Sequence, residues 1–208
     1  MRALIASVVM TVVIECLAVP SRANETSSAG AAQAYVLCKS ADRSAPADLE
    51  VTLARLEEGV RLSEAAVAAD PNDARAQLAL FCNLGKQLDL TGISWRAFGR
   101  LRRARAAINR AHELAPNDPD VLIAKGEMLR RLPAALGGDK AGGYVLLRRA
   151  VELEPDNVAI RLRLAGAMAA DGAPEARARI DEALALAEKN GAEREQSEAR
   201  ALLVSLDR

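Results

Sequence analysis

Three times this chain places a small residue twelve positions before, and an alanine five positions before, a proline followed by Asn or Asp. The triplets are Gly59, Ala66 and Pro71; Ala104, Ala111 and Pro116; and Gly143, Ala150 and Pro155. An internal repeat constrains the architecture before any single element does, because one unit cannot bury its apolar face alone and must stack on the next copy. Residues seven apart in a helix fall on nearly one stripe, so each small pair opens a shallow notch into which a neighbouring helix can press. The proline ends that helix, having no N–H to donate and a ring that clashes with the preceding turn. Asn72, Asp73, Asn117, Asp118, Asp156 and Asn157 follow, residues whose side-chain oxygens cap a new helix by accepting its first free N–H groups. Behind each proline a second pattern begins, with apolar residues at plus five (Ala76, Val121, Ile160), plus seven (Leu78, Ile123, Leu162) and plus thirteen (Leu84, Leu129, Met168). That is one buried face of a second helix. The fold class is therefore all-α, a solenoid of antiparallel helix pairs.

The same signals place helices at 46–69, 74–87, 96–114, 119–131, 140–153 and 158–170, with a short one at 31–39 before them. Pro174 opens another, which Asn190 and Gly191 close in the manner of a left-handed C-cap. A last helix, at 192–206, carries an apolar stripe of Ala199, Leu202, Leu203 and Leu206 and a charged outer face of Arg194, Glu195 and Glu198. A solenoid needs such a terminal helix to cover its open end. Aromatics make up 2% of the chain, and no stretch alternates apolar and polar residues with β-branched enrichment, so a sheet has no source.

The turns ADPND, APNDPD and EPDN, and the segment LIAKGEMLRR at 122–131, resemble tetratricopeptide repeats, a family of paired antiparallel helices with a proline at the turn between units. The family period is about 34 residues. Here the prolines are 45 and then 39 residues apart, so roughly eleven and five residues must be looped out if that period holds. DLTGISW at 89–95 and LPAALGGD at 132–139 carry the helix breakers and lie between the two helices of a unit. The segment LPAALGGDKAGGYVLLRRAVELEPDN resembles, more narrowly, the T-component accessory subunits of TRAP transporters. That resemblance implies an extracytoplasmic, non-catalytic protein that holds a small or apolar ligand while docking a transport partner.

Arg2, the apolar run from Ala3 to Val13 and the Ser21-Arg22-Ala23 triplet read as a secretory signal cut after Ala23. The alternative is an uncleaved anchor, against which stands an apolar stretch shorter than the roughly 20 residues a membrane span needs. Cys16 follows Glu15, which does not suit lipoprotein processing, so the expected product is a soluble periplasmic or secreted protein without a stable membrane span. The domain plan is a signal at 1–23, a polar, Ser-rich disordered leader and short helix at 24–45, and the repeat domain at 46–208. The signal removes Arg2, Arg22 and Glu15, which shifts a balance of 28 basic and 28 acidic residues to a net of about −1. Nothing in that charge steers the protein to nucleic acid or an anionic membrane.

Two cysteines then remain, Cys38 and Cys82. In an oxidising compartment they can pair and tie the first short helix to the next unit; the alternative is two buried free thiols behaving as small hydrophobes. With one histidine, His112, and no cysteine cluster, the ligand count for a metal fails. No nucleophile stands beside a base and no phosphate loop is present, so neither catalysis nor a cofactor is expected.

Two surfaces compete for function. Arg96, Arg100, Arg102, Arg103, Arg105 and Arg110 crowd one predicted helix near Trp95 and Phe98, and this basic patch is either an anion-binding face or a solvated convex one. The other surface is concave, lined in the tetratricopeptide family by the first helix of each unit. By their offsets from the prolines it takes Arg75, Leu78, Cys82 and Lys86, then Asp120, Ile123, Glu127, Arg130 and Arg131, then Ala159, Leu162, Gly166 and Ala169. A groove cationic at one end and apolar at the other suits a protein or peptide partner, or a small amphipathic acid. The alternative for the apolar end is plain packing against the next helix.

Overall fold

The computed structural model describes residues 22–41, 49–92 and 97–207. Among them the chain forms nine α-helices and no strand: α1 Arg22–Ala41, α2 Leu49–Ala69, α3 Ala74–Thr91, α4 Phe98–Leu114, α5 Pro119–Arg131, α6 Lys140–Leu153, α7 Val158–Ala170, α8 Ala176–Lys189 and α9 Glu193–Leu206. They pack as the pairs α1/α2, α3/α4, α5/α6 and α7/α8, with α9 laid across α7 and α8. The first helices of successive pairs touch one another, α1 on α3, α3 on α5 and α5 on α7, and form one layer. The segment expected to be a secretory signal lies outside the described residues up to position 21.

All six small residues of the repeat are buried, and they act by letting backbones approach. Gly143 and Gly126 face each other across the α5/α6 contact. A Cβ on Gly143 would stand 2.6 Å from the Gly126 carbonyl oxygen, and one on Gly126 would stand 2.9 Å from that of Gly143. Gly59 makes room for the side chain of Asn83, which a Cβ would strike. Ala176 and Ala183 repeat the seven-residue spacing in α8, both buried, although no proline follows them.

Each new unit opens with its cap two residues past the proline. The Asp73 carboxylate accepts from the N–H groups of Arg75 (2.8 Å) and Ala76 (3.1 Å). Asp118 does the same for Asp120 and Val121, and the Asn157 amide oxygen accepts from Ile160. Satisfying these orphan donors fixes where each helix begins. Gly191, at φ 66°, follows the end of α8 in the left-handed conformation. In α9, Ala199 is fully buried, and Leu202, Leu203 and Leu206 pack on the cluster of Val158, Leu162, Ile180 and Ala187.

Two expectations change. The helix expected at 31–39 reaches back to Arg22, so the stretch expected as a disordered leader is helical; it is rich in Ala and Ser and holds no proline to stop propagation. The two insertions are also not simply looped out. The first lengthens α3 through Leu88 to Thr91, and Gly92, at φ 76°, ends the helix. The second makes a 3-10 turn at Ala134–Leu136, closed by Gly137 at φ 81°. Leu132 and Leu136 from the second pack on Leu88, Ala97 and Leu101 beside the first, so the extra residues build a small core of their own. The Arg105 guanidinium donates to the Leu136 carbonyl at 3.0 Å and pins the turn to α4.

Candidate functional site

The layer made by α1, α3, α5 and α7, together with Leu101 and Ala104 of α4, lines an open cleft of about 320 Å³. Its floor is apolar, with Leu78 and Phe81 from α3 and Ile123, Ala124 and Met128 from α5. Charges ring it: Lys39 on α1, Lys86 and Asp89 on α3, Asp120, Glu127 and Arg131 on α5, and Arg163 on α7. Helical spacing explains the order, since residues three and four apart on one helix share a face.

Several of these charges hold one another in place. Arg131 pairs with Asp89 at 3.2 Å and so bridges α5 to α3 along the rim. The Lys39 ammonium sits 5.2 Å from the centre of the Tyr35 ring, a cation–π distance. Tyr35 itself faces the start of α5; burial first, then the Asp120 and Asp118 carboxylates, pushes its hydroxyl well above the ordinary phenol range. A neutral phenol donor facing a carboxylate is thus built into the wall of the cleft.

Below the rim lies a second polar cluster. Arg130 is nearly buried, pairing with Glu127 at 3.2 Å and with Asp171 at 3.1 Å. Lys140 reaches the same carboxylate at 3.2 Å, and the Tyr144 hydroxyl donates to it at 2.7 Å. Burial, then the bond to Asp171, pushes the Tyr144 hydroxyl up to about 12. Burial raises the Asp171 carboxyl, but its bonds from Tyr144, Lys140 and Arg130 outweigh that and hold it below its ordinary value. The cluster ties α5 and α6 to the end of α7.

Of the residues expected in the groove, Leu78, Cys82, Lys86, Asp120, Ile123, Glu127 and Arg131 line this cleft. Arg75 does not: it stands exposed in the first turn of α3. Arg130 turns away into the Asp171 cluster, because its long side chain finds two carboxylates there. Leu162 is buried against α8 and α9, since α9 covers the apolar end and converts it into core. Arg96 and Trp95 lie outside the described residues. Arg103 pairs with Glu64 and Arg110 with Glu113, which is the arrangement of a solvated outer face. Arg100 is half-buried on the same helix. Phe98, Arg102, Arg105 and Leu136 line a separate hollow of about 300 Å³.

Sequence reasoning missed Tyr35, Lys39, Phe81 and Arg163. No proline-ended copy precedes α1, so nothing set its register; the signal that could have done so is the cysteine pair. Cys38 and Cys82 are disulfide-bonded, with Cα atoms 5.9 Å apart, which sets Tyr35 and Lys39 beside α3. Among the described residues no group of three or more His, Cys, Asp or Glu is placed to hold a metal ion.

No family model matches the chain, and no curated protein matches it. Among solved structures it is similar to a thermophilic TPR (tetratricopeptide-repeat) protein of Thermus thermophilus, at 19% identity and a TM-score of 0.60 over 87% of this chain and 99% of that one. The fold is a TPR-like solenoid. In TPR terms α1, α3, α5 and α7 are the first helices of four units, and the cleft lies on the face those helices share. The narrower likeness of 132–157 to T-component subunits finds no support in these comparisons.

Proposed function

We propose that this TPR-like solenoid is an exported, non-catalytic scaffold that binds a segment of another protein in the cleft between α1, α3, α5 and α7. The observation that carries the reading is an apolar floor ringed by charges of both signs, contributed by every first helix. An amphipathic segment fits it: apolar anchors seat on Phe81 and Ile123, and polar groups find Asp120 on one side and Lys86 or Arg163 on the other. Anchors supply affinity, and the rim sets orientation and excludes wrong partners. Export is supported by the N-terminal apolar run ahead of a small-x-small site, and by a disulfide, a bond that persists in oxidising compartments.

The test is recovery of the partner from an exported fraction by the tagged protein. Reversing Arg131 and Arg163 to Glu, or changing Phe81 and Ile123 to Ser, should cut recovery at least tenfold with the helical signal unchanged. Full recovery by both variants would sink the reading. One observation favours a second use of the cleft, as a carrier of a small amphipathic acid of the T-component kind: its volume reaches the roughly 300 Å³ at which small-molecule sites begin. Native mass spectrometry separates the two, because a carrier retains a bound mass at low stripping energy and a protein scaffold does not.

A further inference from the structure

The disulfide stands where the groove meets a helix whose buried described side chains are small. Cys82 lines the cleft, while Cys38 is fully buried beneath it on α1. Tyr35 and Lys39, three residues before and one after Cys38, are the groove wall that α1 contributes. Yet the other fully buried side chains of α1 among the described residues are alanines, Ala31 and Ala34. By contrast α3 buries Leu78, Leu80, Leu84 and Leu88, and α7 buries Val158, Ile160, Leu162 and Met168. Apolar stabilisation scales with area removed from water, so methyl groups hold a helix far less firmly than leucines do. Among the described residues, the cluster that Ala31 joins contains Ala66 and Ala76 besides, with Val67 at its edge. The Asn83 side-chain amide, donating to the Ala34 main-chain carbonyl at 2.9 Å, adds one hydrogen bond.

We propose that the Cys38–Cys82 bond is a redox-cleavable clasp for α1: a dithiol reductant releases this wall of the groove and leaves the stacked units α3 to α9 intact. A thiolate of the reductant reaches Cys82 Sγ through the cleft and attacks it. The S–S bond breaks, a mixed disulfide forms on Cys82, and the Cys38 thiolate leaves and takes up a proton. The second thiol of the reductant then closes on its own sulfur and releases Cys82 as a thiolate, which is protonated in turn. The protein gains two electrons and two protons, and the dithiol leaves as a disulfide. Local opening of one helix costs less than unfolding the whole molecule. Freed from Cys82, α1 takes Tyr35 away from Asp120 and removes Lys39 from the rim. That this controls partner binding rests on the cleft reading above; the release of α1 does not.

Hydrogen exchange of the full mature protein, followed by mass spectrometry with and without dithiothreitol, tests the clasp. Complete reduction is verified by alkylation of both thiols. Amides at 30–41 should exchange at least tenfold faster in the reduced protein, with α5 to α9 unchanged, and a Cys38→Ser, Cys82→Ser variant should match the reduced form without reductant. Unchanged exchange at 30–41 in fully reduced protein would overturn the proposal, as would equal acceleration of all helices, which would make the bond a global staple. If the variant does not fold while reduced wild type does, the wild-type comparison alone decides. The readout contains no partner, so its failure leaves the cleft reading standing.

Discussion

At the scale of single residues, glycines divide into those that space helices and those that do not. Gly143 meets the Gly126 carbonyl oxygen, a backbone atom that cannot swing aside, so Gly143→Ala should push α5 and α6 apart and destabilise by about 2–3 kcal/mol. Gly85, also in a helix, has nothing within 4 Å of where a Cβ would go. Gly85→Ala should therefore stabilise by about 0.5–1 kcal/mol through helix propensity alone. Urea unfolding of the two variants beside the parent protein checks both signs. A charged residue gives a second expectation. The Asp171 carboxyl has a folded pKa below its unfolded one, so the stability it contributes is complete above the ordinary carboxylate range and drains away as pH falls through the folded value. Asp171→Asn should cost about 2–3 kcal/mol at neutral pH, the scale of lost hydrogen bonds to a charged group. The gap between variant and parent should narrow in unfolding measurements as pH falls below the ordinary carboxylate range; a gap that stayed constant would show that Asp171 acts by packing.

At the scale of helices, α9 covers an apolar end. Cutting the chain after Gly191 uncovers the cluster of Val158, Leu162 and Ala187, and an uncapped repeat is a sticky one. The truncated protein should lose cooperative thermal unfolding and sediment as aggregates, where the parent gives one boundary. Helix register was legible in sequence wherever a proline punctuated it: caps at Asp73, Asp118 and Asn157, small residues at the notches and the first helices they introduce all follow from those offsets. Where the punctuation stops, so did the reading. The start of α1 has no breaker to mark it, and the extra turn of α3 past Gln87 looks like loop until Leu88 finds Leu132 and Leu136, partners far along the chain. Such contacts carry no local pattern. The groove divided in the same way: spacing identified which faces of α3 and α5 look inward, but could not show that Arg130 would be drawn to Asp171 or that α9 would bury Leu162.

Over the whole molecule, four helix pairs present one continuous face, and each first helix contributes at least one side chain to the cleft. On the proposed reading, a surface assembled that way recognises something long enough to touch several units at once, and a protein segment fits it better than an isolated charge. The measurement that tests this most directly is site-specific photocrosslinking in the producing cell, with a benzophenone side chain at Phe81, at Ile123 or, on the outer layer, at Arg149, which is exposed on α6. The same partner peptide should be recovered, by mass spectrometry of the adducts, from Phe81 and Ile123 and be absent at Arg149. Adducts confined to Arg149, or none in the cleft while the partner still co-purifies, would contradict the assignment of the concave face.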